Sequence, residues 1–167
     1  MLELENQMVK ILHVNVRNEK HGDEPVLGMD LRLRARVSND SLAMFSTTLK
    51  SSFYHKDDSV QGDLVTTADH LPNLKNPKLG MQKWEGTWEH QLLTIHHKVK
   101  KEDDIKLDDV RVKKLVFDMQ EGGTVFIDFT AQAHPDEKVS ARLIALLGQE
   151  VHMSLTVDED AQEEVED

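Results

Sequence analysis

From Leu27 to Val37 the chain alternates without interruption. Leu27, Met29, Leu31, Leu33, Ala35 and Val37 are apolar, and Gly28, Asp30, Arg32, Arg34 and Arg36 stand between them. A period of two is the period of a pleated strand, so one face of this segment is buried and the other is wet. The earlier segment MVKILHVNV (8–16) is β-branched and largely apolar. The polar turn EKHGDEP (19–25) separates the two, which predicts an antiparallel hairpin.

The pattern then changes. Ser38, Asn39 and Asp40 are residue types that cap helices, and Leu42, Phe45 and Leu49 follow at helical spacing. Residues 55–81 hold Gly62, Pro72, Pro77 and Gly80 and keep no period, so they read as a long loop pinned by Leu64, Leu71, Leu74 and Leu79. Four β segments follow at 82–89, 91–100, 105–118 and 124–133, with a break expected at Asp108-Asp109. Short turns between them, including one at Glu89-His90, imply an antiparallel meander. His134-Pro135-Asp136-Glu137 opens a second helix with Pro135 expected at its first position, and Gly148 stands where it should end. A last strand carries Val151, Met153, Leu155 and Val157. The predicted class is α+β: a strand-dominated, mostly antiparallel sheet, barrel or sandwich, with two short helices.

Charge divides the chain in two. It has 31 acids against 20 bases and a net charge of −11, but the last ten residues, DEDAQEEVED, hold seven of those acids and no base. Such a segment cannot bury enough apolar surface to offset the entropy of ordering it. The expected organisation is therefore one β-rich domain over 1–157 and a disordered acidic tail over 158–167. There is no cysteine, which excludes disulfides, thiolate metal sites and cysteine nucleophiles. The N-terminus lacks the bases of a signal peptide, and no apolar run reaches membrane-spanning length. These features point to a soluble protein of the cytoplasm with no membrane partner.

Several clusters are candidates for binding. Arg32, Arg34 and Arg36 line one strand face, where three cations in a row can track phosphates. Lys98, Lys100 and Lys101, with Arg111, Lys113 and Lys114, form a second basic group beside His96 and His97. Glu102, Asp103, Asp104, Asp108 and Asp109 are interspersed, so cross-strand ion pairs are the plainer reading there. Trp84 and Trp88 fall on one strand face with Gly86 between them. Exposed, they would stack bases; buried, they are core. Asp158, Glu159, Asp160, Glu163, Glu164, Glu166 and Asp167 would dock a basic partner.

Catalytic signals are weak. The nine histidines show no H-E-x-x-H and no other recurring ligand spacing, so no metal site and no cofactor is predicted. Asp57, Asp58, Asp63 and Asp69 in the long loop lack a third ligand or base. No nucleophile elbow, phosphate loop or dinucleotide fingerprint is present.

Four stretches carry a resemblance: HGDEPVLGMDL (21–31), LAMFSTTLKSSFYHKDDSVQGDL (42–64), ADHLPNL (68–74) and HPDEKVSARLIALLGQEV (134–151). Together they resemble an uncharacterised family of small temperate-bacteriophage and prophage proteins encoded near replication and recombination genes. The resemblance implies a bacterial host cytoplasm and assigns no functional residue. The expected function is a non-enzymatic phage accessory protein that binds single-stranded DNA or a replication or recombination partner. Two alternatives are an acidic inhibitor of a host defence nucleic-acid-binding complex, and a structural or assembly protein.

Overall fold

The expected hairpin is the spine of the molecule. In the computed structural model, which describes residues 1–56, 70–97 and 99–166, β1 (Leu4–His21) runs antiparallel to β2 (Glu24–Ser38), with Val9 opposite Ala35 and His21 opposite Glu24. Met29, Leu31, Leu33, Ala35 and Val37 are buried, as the alternation requires. Residues 57–69, with Asp57, Asp58, Asp63, Leu64 and Asp69, lie outside the described residues, as do Lys98 and Asp167. At 162 and 164–166 only the backbone is described.

The helix expected after Ser38 is two short pieces, a 3₁₀ turn over Asn39–Met44 and α1 (Leu49–Phe53). Ser38 caps the first by accepting the Asp40 N–H. The Ser46 hydroxyl then accepts the Thr48 N–H, a local bond that competes with continuing the helix. The described parts of the long loop contain β3 (Tyr54–His55) paired with β4 (Asn73–Leu74). Tyr54 anchors them: it is buried, its hydroxyl donates to the Gln120 carbonyl at 2.8 Å, and burial pushes its pKa up to about 12. Leu71 and Leu74 pack on the core, whereas Leu79 is exposed.

The remaining strands are β5 (Gln82–Trp84), β6 (Trp88–His96), β7 (Ile105–Met119), β8 (Thr124–Ala133) and β9 (Glu150–Val157). With β1 and β2, four of these close a six-stranded barrel in the order β7-β6-β9-β1-β2-β8, with β8 returning to β7. β5 lies on β7 in line with β6, so the two read as one strand broken at 85–87. The chain is not a simple meander, because β9 inserts between β6 and β1. The barrel is filled by side chains that include Ile11, Leu33, Ile95, Val112, Phe129 and Met153. The class is α+β and strand-dominated, and the sheet is a closed antiparallel barrel.

Barrel closure is visible in the backbone. Among the described residues, Asn6, His90, Asp109 and Lys114 are the non-glycine positions at positive φ, between 45° and 55°. Each falls where strand register slips: between Leu4 and Gln7, between Trp88 and Gln91, opposite the Gln91–Leu93 step, and between Lys113 and Val116. These are β-bulges, which bend a strand and increase its twist. The break expected at Asp108-Asp109 is one of them. The turn expected at Glu89-His90 is another, and it lies inside β6.

α2 (Glu137–Ala145) starts later than expected. Asp136 is its cap and accepts the Val139 N–H at 2.8 Å, so Pro135 precedes the cap and does not occupy the first helical position. Gly148 takes φ 80° and donates its N–H to the Ile11 carbonyl, turning the chain into β9.

The terminal segment also departs from the expected loose tail. Asp158 is buried, and α3 (Glu159–Glu166) follows it. The cause is the double bulge in β6 and β7. There the Asp109 N–H donates to Asp158 Oδ2 at 2.9 Å, while the Asp158 N–H donates to the His90 carbonyl at 2.8 Å. Asp158 thus takes up backbone groups that the bulges remove from the ladder. Its other oxygen accepts the Ala161 N–H at the start of α3. Asp158→Ala is expected to lower stability by about 1–2 kcal/mol, because it strands a backbone donor. Urea unfolding measures this, and a change below ~0.3 kcal/mol would contradict it.

Candidate nucleic-acid interface

The bulge at Lys114 builds the site. Thr130 on β8 is flanked by Arg32 on β2 and Lys113 on β7, so the three lie in one row across neighbouring strands. The bulge adds Lys114 beside Lys113, and Lys83 on β5 stands opposite Val116 on β7. Facing the bulge, residues 85–87 leave a gap between β5 and β6. The result is a cleft of about 940 Å³ whose walls include Arg32, Lys83, Lys113, Lys114, Trp84 and Glu85.

Arg32 is fixed in place by the bulge. Its Nη1 donates to the Lys114 carbonyl at 2.8 Å and to Thr130 Oγ1 at 3.1 Å. A guanidinium has five N–H donors, so Nε and Nη2 remain for a ligand. Among the described residues, none of Arg32, Lys83, Lys113 and Lys114 pairs with a carboxylate. Glu85 is the one acid on the walls, so the cleft carries net positive charge within a chain that is strongly negative. Clefts lined by one sign of charge concentrate ions of the other.

Trp84 forms the apolar wall, and it is half-buried. Phe45 meets Trp84 and Trp88 edge-on, at 5.7 Å between ring centroids in each case, and Phe117 at 4.8 Å. A Cβ at position 86 would stand 3.0 Å from Trp84 Nε1 and 3.0 Å from Trp88 Cη2. A side chain there would press on both indoles, which would have to give by a few tenths of an ångström. Gly86→Ala is expected to cost roughly 1–3 kcal/mol through overpacking. Thermal melting with tryptophan emission follows it, and an unchanged melting point would remove this role.

The sequence candidates separate in space. Arg32 and Trp84 belong to the cleft. Arg34 does not: Asp128 neutralises it through two hydrogen bonds of 2.8 and 3.0 Å, and it lies 5.7 Å from the Phe126 ring centre. The same contact raises the Arg34 pKa. Arg36 is exposed opposite Phe126 and away from the cleft walls. Lys100 pairs with Glu102 at 3.8 Å, and Lys101 begins a 3₁₀ turn beside a separate pocket. Trp88 packs on Phe45, as Trp84 does, but is not among the cleft walls. Of the acidic set, Asp158 is buried, and Glu159, Asp160 and Glu163 are exposed on α3. Glu164 and Glu166 lie on the same helix by backbone alone.

Lys83, Lys113 and Lys114 complete the cleft. Lys113 and Lys114 were visible only as part of a hairpin cluster, and nothing singled out Lys83. The legible signal was a lysine pair inside a strand pattern, which a bulge places side by side. The chain matches no family model, no curated protein and no solved structure.

Proposed function

We propose that this protein is a non-enzymatic binding module for single-stranded DNA. The observation that carries the reading is the convergence of Arg32, Lys83, Lys113 and Lys114, free of carboxylate partners among the described residues, beside the Trp84 indole. A single strand offers phosphates and unpaired bases together, and a cationic furrow with an aromatic wall takes both. A duplex hides its base faces and gains only the charge term. The resemblance to temperate-phage proteins fits a ligand formed during replication or recombination.

A hydrolase-like order of side chains elsewhere does not change this reading. The Ser154 hydroxyl lies 2.9 Å from His96 Nε2, and His96 Nδ1 lies 3.0 Å from Asp104. The Asn6 N–H, which enters the same pocket, already donates to Ser154 Oγ. The trio ties β1, β6, β9 and the start of β7 on the outer surface.

The test is fluorescence anisotropy with a labelled oligonucleotide across a salt series. Log affinity should fall linearly with log salt, with a slope of about −0.7 per phosphate contacted. No binding at low salt rejects the proposal. The acidic helix supports a second reading, docking to a basic protein partner or inhibition of a basic nucleic-acid-binding complex. Glu159, Asp160 and Glu163 project from a helix anchored by Asp158. Removing residues 159–167 should abolish such docking and leave DNA binding intact.

A further inference from the structure

At the far end of the β1–β2 hairpin, three chemically apt side chains converge from distant parts of the chain. Glu19 and His21 are two apart near the end of β1 and so share a strand face. His134 follows β8, on the opposite side of β2. Glu19 Oε2 lies 2.7 Å from His134 Nε2 and 3.4 Å from His21 Nε2, and the three ligand atoms all lie within 4.8 Å of one another.

The convergence depends on one residue of the intervening strand. A Cβ at Gly28 would stand 2.8 Å from Glu19 Oε1 and 3.0 Å from its carboxyl carbon. With hydrogen there instead, the Glu19 side chain lies across β2 and reaches His134. Arg17 holds Oε1 of the same carboxylate and is itself matched by Asp30, at 2.9 and 3.0 Å. Arg17 therefore orients Glu19 while Asp30 balances its charge, which leaves Oε2 and one net negative charge facing the imidazoles.

We infer that Glu19, His21 and His134 form a binding site for a zinc-class divalent transition-metal ion. Two imidazoles and one carboxylate suit such an ion. Metal–ligand bonds of about 2.0–2.1 Å place tetrahedral ligand atoms about 3.4 Å apart. The Glu19 spacings are 2.7 and 3.4 Å and the third is no more than 4.8 Å, so the ion needs only small side-chain rotations. The Glu19–His134 hydrogen bond opens, and each histidine offers a neutral Nε2. His21 and His134 are well exposed, so the fourth position faces water. The site would tie the ends of β1 and β8 across β2. It is separate from the cationic cleft.

The test is isothermal titration of Zn²⁺ into the chelator-treated full-length protein, with Co²⁺ absorption as a second readout. Wild type should bind one ion per chain and show the intense visible bands of tetrahedral Co²⁺. Glu19→Gln, His21→Ala and His134→Ala should each weaken Zn²⁺ at least tenfold and erase those bands. Circular dichroism of each variant without metal checks that it folds. His13→Ala, outside the cluster, controls for adventitious surface binding. If wild type binds no ion, or the three variants bind as wild type does, the site does not exist.

Discussion

Reversing the three cleft lysines together, Lys83→Glu, Lys113→Glu and Lys114→Glu, should reduce single-stranded DNA affinity on the order of 100-fold at low salt. It should also make the salt dependence shallower by about 2 in log–log slope, because three contacts at about 0.7 each are lost. Lys83 and Lys114 are exposed and Lys113 half-exposed, and none makes an ion pair among the described residues, so the fold should survive. Circular dichroism checks that point. Lys100→Glu with Lys101→Glu is the informative control, since those residues share the sequence cluster but stand outside the cleft. Retained affinity there, with loss in the triple variant, assigns binding to the gap between β5 and β6. Equal loss in both would return the interface to the hairpin tip.

Phe45→Ala should destabilise the protein by about 3–4 kcal/mol. Phe45 touches Trp84, Trp88 and Phe117 at once, and aromatic truncations in such settings cost about that much through lost burial and a residual cavity. For a chain of this size the melting temperature should fall by roughly 6–16 °C. The effect should extend to the cleft, because Phe45 supports the indole that forms its wall. Red-shifted tryptophan emission at a temperature where the variant is still folded would show this. A loss below about 1 kcal/mol would mean that the indoles repack without Phe45, and Trp84 would lose its claim to be preorganised.

Much of the fold was legible because burial leaves a period in the residues. The alternation at 27–37 gave a strand in the right place and with the right faces. The bulges were legible in part: Asp109 lies in the expected break and His90 in an expected turn, but nothing marked Asn6 or Lys114, and none of the four is glycine. Left-handed backbone at such residues is stabilised by partners remote in sequence, such as Asp158 beneath Asp109 and Arg32 on the Lys114 carbonyl. Composition grouped Asp158 with the tail, whereas it is buried and accepts the Asp109 N–H. Seven carboxylates in ten residues look unanchored until the first of them meets the unpaired N–H of a bulge.

The order of residues alone determined that this chain is built on two-faced strands, since period two is the period of a pleated strand, and its short turns pointed to antiparallel pairing. It also determined that the basic residues between buried ones face outward. Which of those cations remain available was decided in three dimensions. Arg34 meets Asp128 because β2 and β8 are neighbours in a closed barrel, and Lys83 joins Lys113 because β5 continues the line of β6 along β7. The physical reason is that electrostatic pairing depends on separation in space, and strand pairing places residues nearly a hundred positions apart within a hydrogen bond of each other.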